Sequence, residues 1–497
     1  MSEFLEALRP HLPVLAVVVP LLSAPLCLLL GRRAWILASV AALAAFFVAI
    51  SLLGEVMAQG VISYALGGWA APWGIEYRVD AASGFVLLIV TGMAAVTLPW
   101  SVRSVADEIP AEKIGHFYTL LMLCFAGLSG ITVTGDAFNV FVFLEISSLS
   151  TYVLISMGRD RRALTASFQY LIMGTIGGTF LLIGVGLLYV ITGTLNMADL
   201  ASRLPNVTQL RTEHTAFAFI VVGIGLKLAM FPLHLWLPNA YAYAPSAATV
   251  FIAATSTKVA VYALVRFIFS VFGEGVAYQD LPFGKIAMVL AIAGMLSASA
   301  VAIFQRDIKR MLAYSSVAQI GYIVLGISLD TVAGLTASLL HLFNHALMKG
   351  ALFMAMGCFF YRIGSVAIDD LSGIGRRMPW TFAAMVLAGL SLIGVPLTTG
   401  FVSKWYLVQA LLGEGLWPLA VFVLAASVLA VVYVWRVVEA AWFREPGTDT
   451  IEAREAPLSL LLPLWLLVLA NLWFGVNTRL TVGVAEQAAR SLIRFAG

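Results

Sequence analysis

The sequence predicts an all-α polytopic membrane protein with about fourteen transmembrane helices. Of its 497 residues, 61% are hydrophobic and only 11% are charged. The mean hydropathy is +0.97, and about a quarter of the residues in a typical soluble domain are charged. A soluble core could not enclose this much apolar surface, so the composition indicates that the lipid bilayer surrounds the chain.

Apolar runs of about 20 residues, the length that crosses a bilayer, recur along the whole chain. The first run, "LPVLAVVVPLLSAPLCLLL", leads directly into a second, which favours a transmembrane helix over a signal peptide. The last segment, "NTRLTVGVAEQAARSLIRF", is amphipathic and is expected to lie along an interface. The predicted spans are centred near residues 22, 44, 91, 124, 148, 178, 225, 259, 293, 320, 346, 391, 428 and 466.

Basic residues are concentrated in loops that a fourteen-span arrangement places on one side of the membrane. These loops are "GRR" (31–33), "GRDRR" (158–162), "QRDIKR" (305–310) and "GRR" (375–377). The loops "VTGDAFN" and "FGEGVAYQD", predicted on the opposite side, contain no basic residue. Because basic loops stay in the cytoplasm, we predict a multi-pass protein of the bacterial plasma membrane with both termini outside.

Two blocks of five predicted helices are similar in length and layout. Residues 1–114 form helices 1–3, residues 115–272 form helices 4–8, residues 282–443 form helices 9–13, and residues 444–497 form helix 14 and the amphipathic tail. Each block contains one helix broken near a lysine, the seventh in "LKLAMFPLHLW" and the twelfth in "IGVPLTTGFVSKWYL". An odd number of spans per block makes the repeats inverted, and broken helices in inverted repeats are typical of a transport site near the midplane.

Four of the seven lysines fall inside predicted spans, namely Lys227, Lys258, Lys349 and Lys404. Each costs roughly 2.5–3.5 kcal/mol at the centre of an inserted helix. A desolvated lysine can lose its proton near neutral pH, whereas arginine cannot. Lysines in the membrane interior therefore indicate proton handling, and the alternatives are static ion pairs and lysines that snorkel to the membrane surface.

Other titratable residues are predicted within the same helices. Glu145 is expected in mid-helix, where it needs a lysine from another helix, and separating such a pair would release a proton. His341, His345 and Lys349 recur at four-residue intervals on one helix face. A proton relay is favoured there over packing or a metal site, since no carboxylate is adjacent. His234 is a candidate for a further relay.

Three residues are predicted to interrupt the seventh and twelfth spans: Pro232, Pro396 and Gly400. Proline removes a helical hydrogen bond and bends the helix. The carbonyl groups that lose their partners can then bind water, which a proton path requires.

The motifs that the sequence lacks also restrict its function. It contains no GxxxxGK[ST] motif and no CxxCH motif, so we predict neither a cofactor nor a metal site in this chain. The three cysteines, Cys27, Cys124 and Cys358, lie in apolar runs and are expected to be small buried residues. A dispersed net charge of +3 does not indicate a nucleic-acid partner.

Six stretches between the fifth and thirteenth helices together carry a resemblance to one family. They are "FVFLE" (141–145), "LKLAMFPLHLWLPNAYAYAP" (226–245), "STKVAVYALVR" (256–266), "QRDIKRMLAYSSVAQIGY" (305–322), "HLFNHALMK" (341–349) and "GVPLTTGFVSKWYL" (394–407). The chain resembles the antiporter-like subunits shared by Mrp-type cation/proton antiporters, respiratory complex I and membrane-bound hydrogenases.

The resemblance implies fourteen helices, two inverted five-helix repeats and a proton path along the membrane midplane. It implies a pair between Glu145 and Lys227 on the broken seventh helix. The implied path then runs through Lys258, His341, His345, Lys349 and Lys404. The family often has an acid and a histidine where this chain has Asn239 and Tyr241, so no cytoplasmic access carboxylate is predicted there.

The length of the chain resembles that of the D-type subunit of an Mrp antiporter. This implies a secondary-transporter subunit, not an enzyme, that moves protons in exchange for Na⁺ or K⁺. Its implied partners are subunits of the Mrp A, B, C, E, F and G types within the bilayer. One alternative is a proton-pumping subunit of a redox complex, either respiratory complex I or a membrane-bound hydrogenase. The N-type subunit of complex I also has a lysine at the position of Lys404. The other alternative is a scaffold subunit with an inactive channel.

Overall fold

The computed structural model describes residues 8–446, 450 and 452–494. The first half of the chain forms α1 (Leu12–Leu30), α2 (Ala34–Gln59), α3 (Ala81–Glu108), α4 (Ile114–Val133), α5 (Ala137–Ser156), α6 (Arg162–Thr192), α7 (Met197–Arg203), α8 (Leu210–Lys227), α9 (Leu237–Tyr243) and α10 (Ser246–Val265). The second half forms α11 (Phe283–Ile303), α12 (Ile308–Ile327), α13 (Val332–Ile363), α14 (Pro379–Ile393), α15 (Thr399–Gly413), α16 (Trp417–Val438), α17 (Leu458–Val476) and α18 (Arg479–Arg494). Turns of π-helix extend α10 and α16 at 266–272, 275–280 and 439–443.

The predicted count of fourteen crossings agrees with these helices. Among the described residues, 11 helical segments are long and apolar enough to cross a membrane. The first of these segments covers both α1 and α2, which a short turn at 31–33 separates. Two further crossings are each divided between two shorter helices, α8 with α9 and α14 with α15.

The seventh crossing is broken where the sequence predicted it. Helix α8 ends at Lys227, and α9 begins only at Leu237. Pro232 lies in the non-helical segment between them. The break therefore places Lys227 at the end of a half-helix, not within a continuous one.

The twelfth crossing is also broken, but the prediction that Gly400 belongs to the break is wrong. Helix α14 ends at Ile393, and Pro396 lies in the gap, whereas Gly400 is in the first turn of α15. A Cβ atom on Gly400 would lie 1.8 Å from the carbonyl oxygen of Ser391. Glycine is required there because the two half-helices approach closely, not because the chain must bend.

The link between α2 and α3 contains an antiparallel hairpin that the all-α prediction omitted. Strand β1 (Ile62–Ala65) pairs with β2 (Glu76–Val79). Tyr77 of β2 also forms a bridge with Thr134, just after α4. Four-residue strands are too short for an alternating pattern to identify them in the sequence.

The two five-helix blocks have the same layout with opposite starting faces. The broken crossing is the fourth in each block, because α8 and α9 follow α4–α6 and α14 and α15 follow α11–α13. Because five is an odd number of crossings, the chain leaves the first block on the side opposite to where it entered. The second block therefore begins on the opposite face of the membrane from the first block. The residue boundaries given above for the blocks remain a prediction.

The amphipathic C-terminal segment forms α18 and packs on the protein. Its apolar face contacts α13 and α3. The buried residues on this face are Val484, Ala485, Ala488, Ala489 and Leu492. Helix α13, which α18 covers, is buried along most of its length and also contacts α10, α12 and α15. It is therefore the central helix of the fold.

We expect Gly400→Ala to destabilise the protein, because the added methyl group would overlap the Ser391 carbonyl group. Overpacking of this kind costs about 1–3 kcal/mol. The measurement is the thermal unfolding temperature of the purified protein in detergent. Gly54→Ala is the control, because a Cβ at this helical position has nothing within 4 Å. Equal unfolding temperatures for the two variants would contradict the close contact.

Candidate functional site

The seven titratable residues of the predicted path lie on five helices, of which α13 is one, and all but one are buried. Glu145 on α5 is the exception, with 23% of its side chain exposed. Helix α13 packs against α10 and α15, which brings their lysines beside its own titratable residues. The buried residues are Lys227 on α8, Lys258 on α10, His341, His345 and Lys349 on α13, and Lys404 on α15.

Glu145 and Lys227 form an ion pair, as the family resemblance implied. The Lys227 ammonium lies 3.3 Å from Oε1 of Glu145. It also donates to the Ser148 hydroxyl at 2.9 Å and to the Tyr152 hydroxyl at 3.4 Å. Glu145, Ser148 and Tyr152 face the same way because they are three and four residues apart on α5. One face of α5 therefore provides all three partners of the lysine.

The position of Lys227 at the end of α8 stabilises its charge. The last carbonyl groups of a helix have no helical partner and carry the negative end of the helix dipole. Lys227 is the last residue of α8 and is followed by the break. Lys227, which lies deep within an apolar run of the sequence, is thus placed at a helix end, where the helix dipole favours a cation.

Gly178 on α6 lets the Glu145 carboxylate reach its position, and sequence reasoning did not identify it. A Cβ at residue 178 would lie 2.3 Å from Oε1 of Glu145. The carboxylate therefore lies directly over the glycine backbone. The only signal in the sequence was the pair of glycines in "TIGGTF", which is common in packed membrane helices.

Lys258 has a different environment, since its ammonium contacts its own helix. It donates to the Ala253 carbonyl at 2.5 Å and approaches the Thr257 hydroxyl at 3.4 Å. It forms no ion pair within the described part of the chain. Only neutral oxygen atoms therefore solvate this buried lysine.

A small cavity connects the Lys227 site with α10. Its volume is about 30 Å³, which is enough for a water molecule. Lys227, Ser148 and Thr151 line one side, and Ser256 of α10 lines the other. The Ser256 hydroxyl is buried without a hydrogen-bond partner among the described residues, so a polar group faces this space.

The two histidines on α13 stack beside one another. Their ring centroids are 5.9 Å apart with planes inclined by 16°. His341 hydrogen-bonds with Gln319 of α12 and Ser403 of α15, both at 2.8 Å. Both ring nitrogens of His345 lack a hydrogen-bond partner among the described residues. His341 is therefore fixed in place, while His345 keeps its nitrogens available.

Lys349 and Lys404 complete the line of buried cations. Lys349 donates to the Leu312 carbonyl at 2.7 Å and to the Ser315 hydroxyl. Lys404 donates to the carbonyl groups of Leu392 and Ile393 at 3.0 and 2.9 Å. These two carbonyl groups end α14, so the Lys404 ammonium lies against the negative end of a half-helix.

The remaining contacts of Lys404 come from the second block. Its ammonium donates to the Ser427 hydroxyl at 3.0 Å and lies 4.7 Å from the centre of the Tyr322 ring. Gly394, with φ of +96°, packs against the Lys404 side chain, where a Cβ would lie 3.0 Å from Cδ. The positive φ and the close contact together require glycine at this turn.

The structure places His234 among aromatic rings in the first break. Its ring centroid lies 5.4 Å from that of Phe231 and 6.4 Å from that of Tyr314. Its Nδ1 has no hydrogen-bond partner among the described residues. The role of His234 as a relay stays a prediction.

Asn239 and Tyr241 make structural contacts. They stand where the family that the sequence resembles often has an acid and a histidine. Asn239 donates to the Gln169 side chain at 3.0 Å, which joins α9 to α6. Tyr241 is buried, and its hydroxyl donates to the Ile252 carbonyl at 3.4 Å. These contacts hold the second half of the broken crossing in place.

A buried ion pair that the sequence did not predict lies at the end of α10 away from the basic loops. Asp80, before α3, pairs with Arg266, which also donates to Tyr262 at 2.8 Å and Ser83 at 2.9 Å. Burial opposes ionisation of Asp80, but the Arg266 guanidinium and Ser83 hold its pKa below the usual value. The pair is therefore ionised at neutral pH and ties α10 to α3.

Residues 134–430 match the model of the family described as "NADH:quinone oxidoreductase/Mrp antiporter, TM". The N-type subunit of the NADH-quinone oxidoreductase of Desulforudis audaxviator is 42% identical over 98% of both chains. The D-type subunit of the Na(+)/H(+) antiporter of Bacillus subtilis is 29% identical over 97% of both chains. A chain of the Mrp complex from Dietzia sp. is 26% identical with a TM-score of 0.89, over 99% of this chain and 100% of that one.

We expect Asp80→Asn to lower the thermal unfolding temperature, because it leaves the Arg266 charge without its counter-ion. Breaking a buried pair costs about 3–5 kcal/mol. Glu486→Gln is the control, since the Glu486–Arg490 pair is exposed on α18 and such pairs contribute about 0–1 kcal/mol. A smaller effect for Asp80→Asn than for the control would show that the pair does not tie α10 to α3.

Proposed function

This chain belongs to the NADH:quinone oxidoreductase/Mrp antiporter transmembrane family, and on that premise we propose that it translocates protons within a multi-subunit membrane complex. The observation that carries the proposal is the line of buried lysines and histidines from Glu145 to Lys404. Each of these groups changes charge when it gains or loses a proton, which a buried arginine cannot do. Such residues are costly in a membrane and mark ion pathways.

The Glu145–Lys227 pair is the proposed switch of the first block. While the carboxylate stays 3.3 Å from the ammonium, it favours the charged lysine. When the pair separates, the lysine loses this stabilisation and releases its proton. The Ser148 hydroxyl, 2.9 Å from the amine, accepts from the charged lysine and can donate to the neutral one.

The proton then moves within the first block, from α8 to α10. The cavity between Ser148, Thr151 and Ser256 gives room for a bridging water molecule next to the Lys227 amine. Lys258 lies two residues beyond Ser256 on α10. Because it has only neutral partners, its charge depends on the state of the neighbouring groups and not on a fixed carboxylate.

The α13 residues carry the proton through the centre. Lys258 interacts electrostatically with both His345 and Lys349. His345 can take a proton on one nitrogen and give it up from the other, and it stacks on His341. His341 hydrogen-bonds with Ser403, the residue before Lys404. Lys404 then controls release of the proton in the second block.

We assign the chain to the cytoplasmic membrane with its basic face inside. The basic face is the side that carries residues 31–33, 158–162, 305–310 and 375–377. The order of the helices supports one common side for all four segments, and by the positive-inside rule that side would be the cytoplasmic one. Both termini then lie outside.

The first proposed assembly is an Mrp-type Na⁺ or K⁺/proton antiporter. The end-to-end match to the D-type subunit of an antiporter and the TM-score of 0.89 to an Mrp complex chain support it. Partners would be subunits of the Mrp A, B, C, E, F and G types. The cation would cross through a partner, since the ammonium-rich path, as far as the structure describes the chain, is not a cage of the oxygen ligands that Na⁺ and K⁺ require.

A second assembly, a redox-driven proton pump, is favoured by the 42% identity to the N-type subunit of an NADH-quinone oxidoreductase. The same residues would carry protons, but electron transfer in partner subunits would drive them. Purification of the intact complex, with its subunits identified by mass spectrometry, distinguishes the two. Iron–sulfur, quinone-binding or nickel–iron subunits would establish the redox pump, and small antiporter-type subunits would establish the Mrp complex.

We expect Lys227→Ala to abolish proton translocation by the complex in proteoliposomes while leaving it assembled, because the switch loses its proton carrier. The measurement is the initial rate of change of a pH-sensitive dye inside the vesicles. Lys285→Ala is the control, because this lysine is exposed at the start of α11. Wild-type rates in the Lys227→Ala complex would refute the proposed function.

Gly178→Ala tests the same pair without removing either charge. The methyl group would displace the Glu145 carboxylate and lengthen the 3.3 Å contact. We expect a lower rate than for Gly186→Ala, a change on the same helix with nothing within 4 Å of the added Cβ. Equal rates in the two variants would show that transport does not depend on this contact.

A further inference from the structure

We propose that Lys309 is a proton-loading residue through which the path takes up protons from the basic face. This inference rests on the proposed function and adds a residue to it. Lys309 is the second residue of α12, in a stretch that the sequence analysis assigned to a loop. In the structure only 3% of it is exposed.

The contacts of Lys309 are unusual for a buried structural cation. Its ammonium donates to the Ser246 hydroxyl at 2.9 Å and lies 5.0 Å from the centre of the Phe360 ring. Within the described residues it forms no ion pair. Buried charges normally require a hydrogen-bonded counter-ion. Lys309 has a neutral partner instead, so no ion-paired carboxylate fixes its protonation state.

The same arrangement recurs at every buried lysine of the protein. Five of the seven lysines are buried, and each lies within hydrogen-bond distance of a hydroxyl group. The pairs are Lys227–Ser148, Lys258–Thr257, Lys309–Ser246, Lys349–Ser315 and Lys404–Ser427. A hydroxyl oxygen accepts from an ammonium, and its hydrogen can donate to a neutral amine, so it satisfies both states. Lys309 thus has the local chemistry of the four path lysines.

A cavity on the basic face reaches Lys309. Its volume is about 380 Å³, and Lys309, Glu108, Asp307 and Phe360 are among its lining residues. The 158–162 loop forms another part of the wall through its charged side chains. The cavity is open to that face, so a group at its wall can exchange protons with the solution.

The charged groups around Lys309 are engaged with other partners. Glu108 of α3 accepts from the Ser104 hydroxyl at 2.7 Å and from the Ser246 backbone N–H at 2.9 Å. Asp307 caps α12 by accepting from the Arg310 backbone N–H at 2.8 Å. Of the 158–162 loop, Arg159 pairs with Asp107, and Arg162 pairs with Asp160. Glu108 and Asp307 therefore line the same cavity as Lys309, with their hydrogen bonds made to other groups.

Helix α12 leads from Lys309 toward the path. Leu312, whose carbonyl accepts from Lys349, is three residues beyond Lys309, a rise of about 4.5 Å. Ser315, the hydroxyl partner of Lys349, is one further turn along. Lys309 therefore lies on α12 between the cavity and the two α12 residues, Leu312 and Ser315, that accept hydrogen bonds from Lys349 of α13.

The decisive test is Lys309→Arg, because arginine keeps the charge and the contacts with Ser246 and Phe360 but does not release a proton. The intact complex in proteoliposomes is assayed for initial proton flux, with Lys309→Gln as the second variant and Lys285→Arg as the exposed control. We expect both Lys309 variants to lose flux on the order of a hundredfold, as for a positioned proton-transfer group. The control should match the wild type.

Other outcomes would overturn the proposal. Wild-type flux in Lys309→Arg would show that only a cation is needed, which is a structural role. Failure of both Lys309 variants to assemble, measured by gel filtration of the complex, would show the same. Lys227→Ala is assayed in parallel. If it abolishes flux while Lys309→Arg does not, only this inference fails, and if Lys227→Ala transports normally, the proposed function fails.

Discussion

The cost of a cation inside the hydrocarbon layer is the constraint on which the rest of this structure depends. Two of the lysines are associated with the ends of half-helices, where the helix dipole favours a cation. Lys227 ends α8 itself, and Lys404 reaches back to the last carbonyl groups of α14. The broken crossings are therefore the means by which the fold holds lysines near the centre of a membrane.

The cost of burying a cation also affects whether each lysine has a carboxylate or a hydroxyl group as its partner. Among the described path lysines only Lys227 is paired with an acid, Glu145, and that acid is the more exposed of the two. The other lysines have neutral oxygen partners, which stabilise a charged amine less but also suit a neutral one. In the proposed proton path, such partners would let a lysine exchange its proton at the expense of static stability. Where a permanent charge is needed, the protein uses arginine, as in the Asp80–Arg266 pair that ties α10 to α3.

Close backbone contacts set the geometry that these charges require. Gly178 lets the Glu145 carboxylate lie against α6, and Gly400 lets the two halves of the twelfth crossing touch. Gly394 turns the chain so that it packs beside Lys404. Any larger side chain at these positions would push its neighbours apart, so the glycines fix distances that the titratable residues then use.

The sequence by itself determined the number of crossings, the two broken helices and the titratable residues, because run length, proline position and residue type are local properties. Only the tertiary structure decided the hydrogen-bond partners of these titratable residues. Lys227 meets Ser148 across 79 residues of chain, and His341 meets Ser403 across 62. The burial of Lys309 and the hairpin between α2 and α3 were likewise invisible in the sequence. A polar stretch at a helix end has the same composition whether neighbouring helices cover it or leave it in water.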